Sequence, residues 1–206
     1  GMMTYAAILQ QQNKPALAAS YLKKAKQYQQ HIDQYWWDEK AQLYNTYYSK
    51  ENQFGKTEGE TFLCWFDALI NKNRKQKTLR HLLKEKWNVE NLSYFPLIMY
   101  QNGYGKEAYQ YILHLTDTAT KRREYPEVSF GVVKAIAEGT MGLQPDARFN
   151  TIQTLYRHKP ATESTISDLP VLGTSITVTH KGNGTTLLTN KGNKNITWKA
   201  AFYGKI

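Results

Sequence analysis

Glu124 and Glu127 bracket Tyr125-Pro126 directly ahead of an apolar run, Val128 to Ala137. Pro126 biases Tyr125 away from the helical region, so a helix does not readily start before it. Proline itself fits the first helical turn, where its missing N–H is not needed. Val128, Phe130, Val132, Val133, Ala135, Ile136 and Ala137 are apolar on nearly every side, the pattern of a buried helix. Gly139 and Gly142 can end it, and Pro145 prevents it from resuming. Two carboxylates are therefore expected at the mouth of a buried helix. There the exposed N–H groups and the dipole favour the ionised form, which suits a general base. The plainer role is helix capping, common for first-turn acids. Glu124 and Glu127 are the candidate catalytic residues.

Two further apolar runs have acids or amides ahead of them. Glu58 and Glu60 precede Phe62 to Ile70, and Glu90 and Asn91 precede Leu92 to Gln101. In a ring of helical hairpins every second helix runs the same way, so the three leading loops are expected on one face. Trp36, Trp37 and Asp38 lie in a segment feeding that face. Paired carboxylates suit glycoside hydrolysis, one as acid and one as base or nucleophile. Aromatic faces suit sugar rings. Trp36, Trp37, Asp38, Glu58, Glu60 and Tyr125 are accordingly the candidate substrate-binding residues. The competing role for the aromatics is as wedges between helices.

The elements that must position these residues follow from periodicity. Residues 4–12 read as a short helix, broken at Asn13-Lys14-Pro15. The next helix carries Leu17, Tyr21, Ala25, Tyr28, Ile32 and Tyr35 on one face. Residues 42–49 read as extended, with a turn at Asn52-Gln53-Phe54-Gly55. Helices are then expected over 61–70, 74–86, 92–101, 106–116 and 128–137, alternately buried and amphipathic. Ala18, Tyr21, Leu22 and Ala25 are echoed 90 residues on by Ala108, Tyr111, Ile112 and Leu115. Two hairpins per 90 residues, with buried helices inside amphipathic ones, suit a HEAT-like array or an α/α toroid. After Asp146 the pattern becomes β. Ala161 to Ser164 reads as a loop, Ser175 to His180 alternates with period two, and Gly182-Asn183-Gly184 is a hairpin turn. Strands are expected over 185–189 and 196–202. The predicted fold is α+β: helical hairpins over 1–148, then a small antiparallel β-domain over 149–206.

Lys and Arg number 27 against 17 Asp and Glu, a net charge of +10. That invites a nucleic-acid reading, but the basic residues are spread out and no nucleic-acid motif appears. The densest cluster, Lys72, Arg74, Lys75, Lys77 and Arg80, reads as the solvated side of an amphipathic helix, with a patch for an acidic glycan as the alternative. The five histidines lack metal-ligand spacing, and neither metal nor cofactor is expected. The single cysteine, Cys64, is set among apolar residues as a small core residue. No run reaches transmembrane length. Gly1 ahead of Met2 reads as an addition, placing the natural N-terminus at Met2 or upstream; an upstream signal peptide would make the protein periplasmic or secreted.

Several stretches together resemble a known family. They are Trp37-Asp38-Glu39 with Leu43-Tyr44, Gly59-Glu60-Thr61-Phe62, Phe95-Pro96-Leu97 with Gly103-Tyr104 and Glu107-Ala108-Tyr109, Glu124-Tyr125-Pro126-Glu127 with Phe130-Gly131, and Glu138-Gly139-Thr140-Met141-Gly142-Leu143. In order and spacing, residues 4–146 resemble the C-terminal part of the six-hairpin (α/α) toroid glycoside hydrolases. The tail from about residue 150 resembles the small β-domain that often follows that toroid in bacterial members. The resemblance implies a hydrolase or lyase fold acting on a poly- or oligosaccharide. It implies that Glu124 or Glu127 lies near the family's C-terminal catalytic carboxylate. A full toroid has about twelve helices and periodicity gives about seven here, so the N-terminal hairpins are expected elsewhere. A homodimer, or association with that missing half, would cover the open flank. The alternative is a non-catalytic helical-repeat module binding a glycan or a protein.

Overall fold

The computed structural model describes residues 1–51, 53–157 and 163–202. The expected turn residue Asn52 and the loop residues Ala161 and Thr162 lie outside the described residues. Helix makes up 45% of the chain and strand 22%, so the protein is α+β rather than an all-helical array. The chain forms two compact units, Gly1–Trp87 and Asn88–Ile206.

The first unit opens with a helical hairpin, α1 (Met2–Gln11) and α2 (Pro15–Tyr35). Asn13 takes a left-handed conformation in the connection, and Pro15 begins α2 where its missing N–H is harmless. Ala6, Leu9 and Ala18 form the seam, with Tyr21 and Leu22 packed against it. The small alanines allow close approach. The expected face of α2 is rotated: Leu17, Tyr28 and Tyr35 are exposed, while Ala18 and Ala25 are buried. Two small hairpins follow, β1 (Trp37–Asp38) with β2 (Leu43–Tyr44), and β3 (Tyr47–Tyr48) with β4 (Phe54–Gly55), both antiparallel. The unit ends with α3 (Glu60–Trp65) and α4 (Lys72–Lys84). The Asn71 side chain caps α4 by accepting from the Arg74 N–H. Buried Leu79 and Leu82 give α4 its inner face. Three of its basic residues are engaged within the unit. Arg74 pairs with Asp33 and Glu39, Lys75 with Asp67, and Lys77 bonds Gln42.

The second unit holds α5 (Val89–Leu92), α6 (Phe95–Gln101), α7 (Gly105–Thr116) and α8 (Pro126–Lys134), then a π-helical turn, Ala135–Thr140. Helix α6 is buried from Phe95 to Tyr100, as an all-apolar helix should be. It packs against α7, α8 and the π turn. Ala108, Ile112 and Leu115 are the buried stripe of α7. A Cβ on Gly131 would run into the Ser93 carbonyl, so glycine permits α8 to approach the α5 end closely.

Two three-stranded sheets complete this unit. One has the order β10–β6–β5, from β5 (Gln144–Asp146), β6 (Thr151–Tyr156) and β10 (Thr197–Phe202). The other is the antiparallel meander β7 (Ser164–Val171), β8 (Thr174–His180) and β9 (Thr186–Asn190). The tail is not wholly antiparallel, because β10 runs parallel to β6. Met141 and Leu143, just past the helices, share one core with Ile152, Ile176 and Val178 of the sheets. The expected boundary at 148/149 therefore follows a change of secondary structure, whereas the compact units divide after Trp87.

Two of the three helices expected to be buried all round are not. On α3, Phe62 is 42% and Phe66 71% exposed; on α8, Phe130 is 74% and Val133 65% exposed. A short helix buries only the side facing its neighbours, whatever the rest of its sequence. Helix α3 also stops at Trp65 instead of reaching Ile70, because Asp67 takes a left-handed conformation and Ala68 bonds back to the Leu63 carbonyl.

Candidate functional site

Glu60 is the first residue of α3, with its side chain only 3% exposed. Its Oε2 lies 3.3 Å from His81 Nε2, which α4 presents from its inner side. Its Oε1 is buried and accepts no hydrogen bond, and neither does the neighbouring Thr61 Oγ1. A buried carboxyl without a full set of donors resists ionisation. Burial pushes Glu60 up to about 7, with Lys56 pulling weakly the other way. At neutral pH this carboxyl is thus poised between acid and anion. Orphaned polar atoms of this kind are rare enough in native proteins to mark a strained or functional place.

Lys56 links Glu60 to a second carboxyl of opposite character. Its Nζ lies 2.6 Å from Asp38 Oδ2 and 3.0 Å from Asn45 Oδ1. Asp38 Oδ1 accepts from the N–H groups of Lys40 and Ala41, closing the β1–β2 turn. The Lys56 hydrogen bond and then the Ala41 N–H hold Asp38 down at about 2. The unit thus sets apart two acids that share one lysine as neighbour.

An aromatic surface adjoins this ion pair. Trp36 meets the Phe54 ring edge-on at 5.3 Å, and Tyr48 lies 4.8 Å from Phe54. Tyr48 and Phe54 are about half exposed. Trp36–Phe54 and Asp38–Lys56 are successive cross-strand contacts two residues apart, so they share a face. Trp37 does not join them. It is buried between the Tyr44 ring and the cations of Arg74 and Lys77, with no face left for a sugar. Glu58 is exposed on the turn before α3.

In the second unit, Glu124 is exposed ahead of α8, and Glu127 is half-buried in its first turn. Tyr125 is the residue before the helix, and its side chain does not cap it. The Tyr125 hydroxyl accepts from Arg122 Nη2 at 3.1 Å, and the guanidinium lies 4.7 Å from the Tyr125 ring centre. Arg122 also pairs with Glu90 Oε1, while Glu90 Oε2 is buried without a hydrogen-bond partner. Glu90 and Tyr125 are thereby brought together through Arg122. Glu58 and Glu60 belong to the other compact unit.

Lys56, His81 and Arg122 were not singled out by sequence. Lys56 sits in a polar turn, His81 on a helix whose apolar stripe is carried by leucines, and Arg122 beside Arg123 in a loop. Only Arg122, two residues before Glu124, carried a local hint. Among the described residues no three His, Cys, Asp or Glu side chains converge as a metal site. No described helix is long and apolar enough to cross a membrane. No protein-family model and no curated protein matches this chain.

Proposed function

We propose that the chain is a glycoside hydrolase, or the C-terminal part of one, with Glu60 as proton donor and Asp38 as the ionised partner. One observation carries the reading: two carboxyls facing the same lysine are driven apart, Glu60 to about 7 and Asp38 to about 2. Glycoside cleavage needs such a division, an acid that keeps its proton at neutral pH and a carboxylate that does not. Burial supplies the first and hydrogen bonding the second. The half-exposed Trp36, Tyr48 and Phe54 beside the ion pair offer ring faces for a sugar.

The paired helices α1–α2 and α6–α7, whose inward stripes repeat at the 90-residue offset, support a partial (α/α) toroid as the framework. The exposed rings on α3 and α8 support a surface that a second copy or an N-terminal half covers; sedimentation of the purified chain tests this at micromolar concentration. For activity, the chain is incubated with neutral and uronic oligosaccharides and the release of reducing ends is followed. Hydrolysis abolished by both Glu60→Gln and Asp38→Asn supports the proposal. Glycan binding without turnover would favour the non-catalytic module. Neither binding nor turnover would overturn both readings.

A further inference from the structure

Glu60 is too deeply buried to trade protons with water on its own. The groups around its carboxyl come from three places. Lys56 stands on the segment before α3, Cys64 one turn along α3, and His81 on α4. Lys56 is held by Asp38 and Asn45. The Cys64 thiol is pushed up to about 12 by burial, and Lys75, which also faces it, is bound to Asp67. His81 differs from all of these. Its Nε2 faces Glu60, and its Nδ1 lies 4.0 Å from Glu85 Oε1, whose side chain is 57% exposed. Trp87 meets the imidazole edge-on at 6.1 Å, and its own indole N–H is fixed on the Leu82 carbonyl. The ring therefore bridges a buried carboxyl and a solvated one.

We propose that Glu60 and His81 hold one exchangeable proton between them, and that His81 is the positioning residue through which Glu60 regains a proton from water. The inference rests on the reading of Glu60 as proton donor. When Glu60 gives its proton to a leaving oxygen, its carboxylate takes one from imidazolium Nε2. The neutral ring then takes a proton from water at Nδ1, beside the Glu85 carboxylate. One proton leaves with the product and one enters from solvent, so the cycle balances. His81 touches no substrate in this scheme.

The test is an NMR titration with labelled histidine rings and glutamate carboxyl carbons, in the wild-type chain, E60Q and H81Q. The expected result is an inflection of the His81 resonances that coincides with the Glu60 carboxyl titration and disappears in E60Q. In H81Q the Glu60 midpoint should rise by about one unit, because a cationic neighbour has been lost. No shared inflection in the wild type, with an unmoved Glu60 midpoint in H81Q, overturns the proposal. If E60Q does not fold, the wild-type and H81Q curves decide the matter alone. The readout needs no substrate, so it separates the two ideas. Coupling without hydrolysis leaves the proton pair standing and removes the glycosidase, and hydrolysis without coupling does the reverse.

Discussion

Glu60 and His180 are both buried ionisable residues, one in each unit, and their surroundings are opposite. His180 is fully buried on β8, but both ring nitrogens are used. Its Nε2 lies 2.9 Å from the Met141 carbonyl, an acceptor only, so Nε2 carries the hydrogen. Its Nδ1 then accepts from the Thr186 hydroxyl at 2.8 Å. Burial holds the ring neutral, and Tyr156 packs edge-on against it at 5.1 Å. This is a structural histidine, tying the end of the helical segment to the meander. Glu60 is as well buried but keeps an oxygen without a donor. Burial alone does not distinguish a site from a core; the unfilled hydrogen-bonding capacity does.

The largest test of that contrast is catalytic. Glu60→Gln should lower glycan hydrolysis by roughly 10²–10⁴-fold, the usual worth of a general acid. Glu124→Gln and Glu127→Gln should each leave it within about threefold. The reverse ranking would move the chemistry to the α8 entrance. Next is stability. His180→Ala strands the Met141 carbonyl and the Thr186 hydroxyl in a cavity and should cost about 2–4 kcal/mol. Glu60→Gln should cost about 1 kcal/mol or less, since it removes no satisfied bond from Oε1. Urea unfolding compares the two.

The pH dependence sharpens the comparison further, because the signs oppose. The Glu60 carboxyl is raised from 4.5 to about 7, so the unfolded chain ionises first. Stability from this group should fall as pH rises through that window and level off above it, by up to about 3 kcal/mol. His180 is lowered from 6.5, so its contribution is present above that value and lost as pH falls below it. Denaturant midpoints between about pH 4 and 8 should show the first slope vanish in Glu60→Gln while the second persists. The smallest effect is at Cys64, 2% exposed and with its thiol pushed up to about 12. A thiol reagent should label the native chain at least about 100-fold more slowly than the unfolded one.

Part of this was legible in the residues. The run Phe95-Pro96-Leu97-Ile98-Met99-Tyr100 reads as buried and is, and Ser175 to His180 alternates as the strand it forms. Cys64 among apolar neighbours is a core residue, as its setting suggests. What failed was any inference needing two distant segments at once. Glu58 and Glu60 flank one glycine and look alike, yet one is exposed and the other buried because α4 covers only the second. Trp36 and Trp37 are consecutive, but strand alternation sends one to the Phe54 surface and the other beneath Arg74. The parallel pairing of β6 with β10 joins segments about forty residues apart, and no local pattern announces it.

The π-helical turn has a consequence for how this chain tolerates insertion and deletion. Met141 N–H bonds the Ile136 carbonyl, five residues back, and Arg157 donates to the carbonyls of Glu138 and Gly139. Gly142 follows in a left-handed conformation, where a Cβ would strike the Leu155 backbone. One residue of helix is worth about 100° of rotation. Loss of a single residue between Ala135 and Thr140 would restore an ordinary α-helix and swing the Met141 carbonyl away from His180 by about that angle. The helical segment and the meander are thus kept in phase by one extra residue. Sequence drift here is constrained in length before it is constrained in chemistry.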